Sequence, residues 1–283
     1  MTNPIADPIL EVVDTDASSR TAVIEATADG VATVIINRPS RRNAFDSEVI
    51  GALHEAFETL EAADGVRLVF VRGAGGTFSA GADLAWMREA AELSESDNRE
   101  DAMAMAHMLH RLHALPMLTC ALVEGSAFGG GAGLVAACDM AIATRDARFA
   151  FSEVKLGLIA ATISPYVVAA LGPRRARSLF ATGRAFDAQA AHTFGLVDEV
   201  VEDASALETA RDRLAAQVVD CAPGAVSESK RLVDHVAGRS IDHGLMSETA
   251  HWIARVRVSP EGREGVAAFL AHRRPAWGVR TVE

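Results

Sequence analysis

Two glycine-rich segments mark where this sequence could do chemistry. Ser79-Ala80-Gly81-Ala82-Asp83 and Phe128-Gly129-Gly130-Gly131-Ala132-Gly133 each follow a short apolar run and open into a helical pattern. Small side chains let a ligand approach the backbone, and the first N–H groups of a helix have no internal acceptor. The helix dipole adds partial positive charge at the same place. Two such N–H groups aimed at one oxygen would stabilise a carbonyl that gains charge during reaction. For either segment alone, a plain role in tight strand–helix packing is the favoured reading.

A competing pattern overlaps the second segment. Gly131-Ala132-Gly133-Leu134-Val135-Ala136 fits G-x-G-x-x-A, and Glu153 lies 153 − 131 = 22 residues on. This imitates a dinucleotide-binding fingerprint. Its mid-chain position and the lack of a clear strand ending at Glu153 count against it. The sequence has neither a G-x-x-x-x-G-K-[ST] loop nor a G-x-S-x-G elbow around Ser79 or Ser126.

The elements that must position these turns read as an α/β chain. TAVIEAT and VATVIIN flank Asp29-Gly30, a hairpin signal. Ser47 reads as the cap of a helix whose apolar residues Val49, Ile50, Leu53, Phe57 and Leu60 recur at helical spacing. Residues 66–73 and 117–125 read as buried strands, with a long helix around 98–115 between them. After strand 196–201, residues 204–219, 224–237, 241–256 and 260–273 form four helical stretches. The division expected is an arm at 1–20, a core at 21–203 and a helical oligomerisation region at 204–283.

With 283 residues, 49% hydrophobic and 23% charged, the chain can bury a sizeable core. Lys and Arg total 27 against 38 for Asp and Glu, a formal charge of −11, which disfavours nucleic acid as a partner. No apolar run spans a membrane and the first twenty residues lack a secretion-signal pattern, so a soluble, cytoplasmic protein is expected. Three widely spaced cysteines, Cys120, Cys138 and Cys221, suit a reduced compartment.

Five motifs taken together resemble the crotonase, or enoyl-CoA hydratase/isomerase, superfamily. They are NRPSRRNAF (37–45), GGTFSAGADL (75–84), GSAFGGGAGLVAACDMAIA (125–143), FSEVKLGL (151–158) and EGREGVAAFLAHRRPAW (261–277). The resemblance implies a crotonase-like spiral of ββα turns with a helical C-terminal region. It also implies an acyl-CoA substrate, no cofactor beyond the coenzyme A carried by that substrate, and a homotrimer or dimer of trimers. Carried over by position, Ala82 and Gly130 match the oxyanion N–H donors. Ser40, Arg41 and Arg42 match the loop along the CoA phosphates, and Ala80 a position near the adenine. Gly81 and Gly129 belong to the same turns, and Trp86 would shape the acyl pocket. Phe269 matches an aromatic reaching the nucleotide from a neighbouring subunit, and His272 stands where a basic residue is usual.

The family's hydratases commonly use two glutamates twenty residues apart. Glu153 matches the second, whereas the first falls on Gly133, which has no carboxylate. One proton-carrying group suffices for a double-bond shift and tilts the bare chemistry toward an isomerase. SEVKLGLIAATISPYVVAALG (152–172) resembles hydratases of 3-methylglutaconyl-CoA and related carboxylated enoyl-CoAs. The leading expectation is therefore hydration of a trans-2-enoyl-CoA, branched or carboxylated. The alternatives are an enoyl-CoA isomerase and a non-catalytic acyl-CoA-binding protein.

Other polar residues have plainer readings. Asp83 reads as a helix cap, Asp139 as a turn or pairing residue, and Glu89 and Glu92 as solvated glutamates, with replacement of the missing acid as their secondary reading. His107, His110 and His113 drift around a helix without a completing carboxylate, so no metal is expected. Met103, Met105 and Met108 read as core or acyl-pocket lining. Leu245, Met246, Ile253, Val266, Phe269 and Leu270 exceed what four short helices bury alone, and point to a subunit interface.

Overall fold

The computed structural model describes residues 21–27 and 29–278; the expected arm at 1–20 lies outside them. The chain runs β1 (Ala22–Ala26), β2 (Val31–Ile36), α1 (Ser47–Ala62), β3 (Leu68–Gly73), α2 (Leu84–Ala90), α3 (Glu95–Ala114) and β4 (Leu118–Val123). It continues with β5 (Ser126–Phe128), α4 (Gly130–Ala137), β6 (Met140–Thr144), β7 (Arg148–Ala150), α5 (Ser164–Thr182), β8 (Phe186–Asp187), α6 (Ala188–Phe194) and β9 (Glu199–Val201). Four helices follow: α7 (Ala204–Val219), α8 (Pro223–Val236), α9 (His243–Arg257) and α10 (Pro260–Leu270).

The larger sheet has the order β1-β2-β3-β4-β6-β9. Only the β1–β2 pair, the expected hairpin, is antiparallel. Gly30 turns that hairpin at φ +83°, a conformation that L side chains rarely adopt. The parallel strands are buried on both faces, and alternate residues serve two cores. In β3, Val69 and Val71 face a core with Leu53 and Phe57 of α1 and Leu109 and Leu112 of α3. Leu68 and Phe70 face the other way, against Leu207, Leu214 and Val218 of α7. The first C-terminal helix is thus a cover for its own sheet.

Beyond α7 the inward faces thin out. Among described residues, α8 buries none, α9 buries Leu245 and α10 buries Ala268. Leu245 therefore leaves the set of apolar residues expected at a subunit interface, because its own chain covers it. Met246, Ile253, Val266, Phe269 and Leu270 are exposed. The cap of α1 also differs from expectation: Asp46, not Ser47, accepts the Val49 N–H at 3.0 Å. A carboxylate one residue upstream takes the orphan donor, which leaves Ser47 as the first helical residue.

A second, small sheet, β5-β7-β8, sets up the site. The segment before α2 joins it through a parallel bridge between Ser79 and Ala127, and β5 pairs with β7 so that Phe128 faces Ala150. Three chain segments therefore end side by side and in the same direction. A few residues beyond those ends stand Ala82, Gly130 and Glu153.

Candidate active site

Backbone hydrogen bonds zip the two glycine-rich turns together. Ser79 N–H donates to Ser126 O at 2.8 Å, Phe128 N–H to Ser79 O at 3.0 Å, and Gly129 N–H to Ala150 O at 2.8 Å. On the other flank, Phe45 N–H donates to Gly81 O at 2.7 Å and Asp83 N–H to Phe45 O at 2.8 Å. These bonds skip Ala82. Among the described residues neither the Ala82 N–H nor the Gly130 N–H has an acceptor. Both residues line one cavity of about 140 Å³, together with Glu153, Phe45, Trp86 and Ile163. Two unspent donors opening on one cavity can hold an oxygen that becomes anionic.

The glycines have distinct jobs. Gly81 sits at φ +91°, and a Cβ there would press on Phe128 O at 2.9 Å. Gly129 has φ +49°, and a Cβ on it would approach Glu153 Oε1 at 3.3 Å. The Glu153 carboxylate therefore lies over the bare backbone at the entry to α4. A Cβ at Gly130 would meet the Phe45 ring and Met105 Cε, both at 3.1 Å.

Glu153 begins a single helical turn directly after β7, and its Oε2 is buried with no hydrogen-bond partner. Burial holds its pKa above the ordinary carboxylate range, opposed in part by a hydrogen bond from its own backbone N–H. A carboxyl group raised in this way exchanges a proton in either direction more readily near neutrality.

The surrounding positions are fixed by ion pairs and caps. Asp83 caps α2, accepting from Ala85 N–H at 2.8 Å and Trp86 N–H at 3.4 Å. It also pairs with Arg38 at 3.0 Å, and Arg38 reaches Asp46 at 2.7 Å. The Ala85 bond, then the Trp86 bond and the nearby arginines, lower the Asp83 pKa. Arg38 was not singled out by sequence reasoning. It stands inside the quoted 37–45 motif, and its tie to Asp83 holds that motif against the first glycine-rich turn. The Trp86 indole donates to Asp101.

Ser40, Arg41 and Arg42 are exposed on a short turn. Arg42 O accepts the Ala80 N–H at 2.9 Å, so this loop is tied directly to the glycine-rich turn. Gly133 is buried inside α4. Phe269, 79% exposed, and His272 at the end of α10 lie outside the cavity lining in the single chain. Glu89 and Glu92 are exposed and also outside that lining. Asp139 accepts from Thr119 N–H at 2.7 Å and pairs with Lys230 at 2.7 Å, the pairing role expected of it. Met105 lines the cavity, Met108 lies in the core and Met103 is half-exposed. The G-x-G-x-x-A pattern falls within α4 itself.

The sequence profile described as "Enoyl-CoA hydratase/isomerase" matches residues 26–280. The chain belongs to this family. An enoyl-CoA hydratase from Shewanella pealeana has a crystal structure that superimposes with a TM-score of 0.88 at 36% identity, covering 91% of this chain and 96% of that one. "Enoyl-CoA hydratase ACTT6" of Alternaria alternata is 32% identical over 249 residues, 88% of this chain and 81% of the relative. "Enoyl-CoA isomerase/hydratase fer4" of Mycosarcoma maydis is 31% identical over 256 residues, 87% and 92% of the two chains. The fold is that of the crotonase superfamily, and the chain is an enzyme of the enoyl-CoA hydratase/isomerase type acting on acyl-CoA. No helix among the described residues is long and apolar enough to cross a membrane.

Proposed function

We propose that this enzyme hydrates a short trans-2-enoyl-CoA through a thioester enolate, with Glu153 as its acid and base. The observation that carries the reading is the buried, unpartnered Glu153 Oε2 in the same cavity as the free Ala82 and Gly130 N–H groups. Water adds at C3 while Glu153 takes its proton. The C2–C3 π electrons move onto the thioester oxygen, where the two N–H groups stabilise the charge. Glu153 then returns the proton to C2, so one carboxyl group closes the cycle without a separate cofactor.

The acyl group is branched or carboxylated. The 140 Å³ chamber suits a compact branched group, with Phe45, Ile50, Met105 and Ile163 as apolar walls. A second cavity of about 410 Å³ shares Glu153 and Ile159 to Ala161 with it, and Arg177 there supplies a cation for an acyl carboxylate. Ser40, Arg41 and Arg42 lie along the CoA phosphates, with Ala80 near the adenine. Phe269 and His272 reach the nucleotide from a neighbouring subunit of a trimer or dimer of trimers. The unpaired cysteines suit a reducing cytoplasm.

Isomerisation is the second reading, favoured by the single carboxylate. Incubation with crotonyl-CoA and 3-methylglutaconyl-CoA, followed by mass analysis, separates the two. Hydration adds the mass of water, isomerisation leaves the mass unchanged but gives a species of different chromatographic retention, and recovery of thioester unchanged in both mass and retention would overturn both.

A further inference from the structure

Gly133 has no conformational need to be glycine, since its φ is not in the positive range; its neighbour imposes it. A Cβ at this position would lie 2.0 Å from Ile163 Cγ2 and 2.5 Å from Ile163 Cβ. Real side chains do not approach so closely, and neither contact can be relieved by a flexible chain end. Ile163 is 2% exposed and closes the cavity wall alongside Thr162 and Ala161. Gly133 N–H bonds to Gly129 O at 3.0 Å, one helical turn from the backbone on which the Glu153 carboxylate rests. The resemblance puts the family's first glutamate at position 133, and Ile163 fills the space that any side chain there would need.

The segment carrying Ile163 is built onto Glu153. Leu158 N–H donates to Glu153 O at 3.1 Å, Ala161 N–H to Ile159 O at 2.9 Å, and Ser164 N–H to Ala161 O at 3.1 Å. This succession of tight turns leads from the catalytic carboxylate to the start of α5. The position of the isoleucine is thus set by the same short segment as the acid with which it shares the cavity.

We propose that Ile163 is the specificity-determining residue of the acyl pocket. It bars position 133 from carrying a carboxylate and offers its methyl groups as the wall against which the acyl branch packs. The inference rests on the proposed placement of the acyl group but not on whether the product is hydrated or shifted.

The first test is thermal unfolding of paired variants. Gly133→Ala should melt well below the parent protein. Measured against the matching Ile163 single variants, Gly133→Ala should still cost much in an Ile163→Ala background, because the Cβ–Cβ approach of 2.5 Å remains, and little in an Ile163→Gly background. A Gly133→Ala protein as stable as the parent would overturn the steric claim. The second test uses Ile163→Ala alone, with kcat/KM for straight and 3-branched enoyl-CoAs of increasing size, counting hydrated and shifted products together. Calorimetric affinities for the matching saturated acyl-CoAs provide a readout even if turnover is absent. The preference should move toward bulkier acyl groups by about tenfold or more, the scale of a methylene-sized change in an apolar pocket. An unchanged preference in both readouts would overturn the specificity role.

Discussion

Replacing Glu153 by glutamine tests the mechanism and the electrostatics together. The substitution keeps the size of the side chain but removes its ability to carry a proton. Positioned acid–base catalysis contributes about 10²–10⁴-fold, or about 2.7–5.4 kcal/mol at 1.36 kcal/mol per decade. The loss should fall on kcat. Glu153 Oε2 makes no hydrogen bond and the N–H donors are backbone groups, so acyl-CoA affinity should stay within a few-fold. Stability should change in the opposite sense. Burial raises the Glu153 pKa, so the folded chain holds this proton more tightly than the unfolded chain does. The carboxylate thus costs stability once the pH climbs above the ordinary carboxylate range, and it costs nothing below that range. Glu153→Gln should melt higher than the parent at neutral pH, with the difference vanishing below about pH 4. Stopped-flow turnover, calorimetric binding and melting curves across pH supply the three readouts. A variant with kcat within a few-fold of the parent would move the acid–base role elsewhere. A variant with lowered stability at neutral pH would refute the desolvation account.

Gly130→Val should lose at least about 10²–10³-fold in turnover, since branching at this point blocks access to the N–H donor. Because a Cβ there already meets Phe45 and Met105 at 3.1 Å, it should also cost about 1–3 kcal/mol in denaturant unfolding. Parent-like turnover would remove this donor from the site. Asp83→Ala should destabilise the protein by about 1–2 kcal/mol through loss of the α2 cap. With its pKa lowered, the Asp83 contribution is present above the ordinary carboxylate range and fades at acid pH, so the gap between variant and parent should narrow there. Light scattering should find a trimer or a multiple of it, with Phe269→Ser weakening assembly; a monomer that binds acyl-CoA tightly would contradict this role for the exposed α10 face.

How far the sequence carried depends on the range of each interaction. The hairpin at Asp29-Gly30, the parallel strands and the four closing helices follow from local periodicity and turn chemistry, and they stand close to where those signals put them. The two glycine-rich turns were legible because such strand ends are short, contiguous features, whereas Ala82 and Gly130 as donors came from the family resemblance. Arg38 was not, since its value lies in partners at Asp46 and Asp83, and a lone arginine in a loop resembles any solvated one. The α7 helix was assigned with the oligomerisation region because helical spacing shows an apolar face but not what covers it. Gly133 is the clearest case. Its sequence context suggests either a missing acid or a packing glycine, and thirty residues separate it from Ile163. Only the fold brings that isoleucine to 2.0 Å from an added Cβ. Restoring a carboxylate at 133 alone would therefore report on collision before chemistry, and its failure would say nothing about whether one glutamate suffices. The question becomes answerable only when residues 133 and 163 are exchanged together.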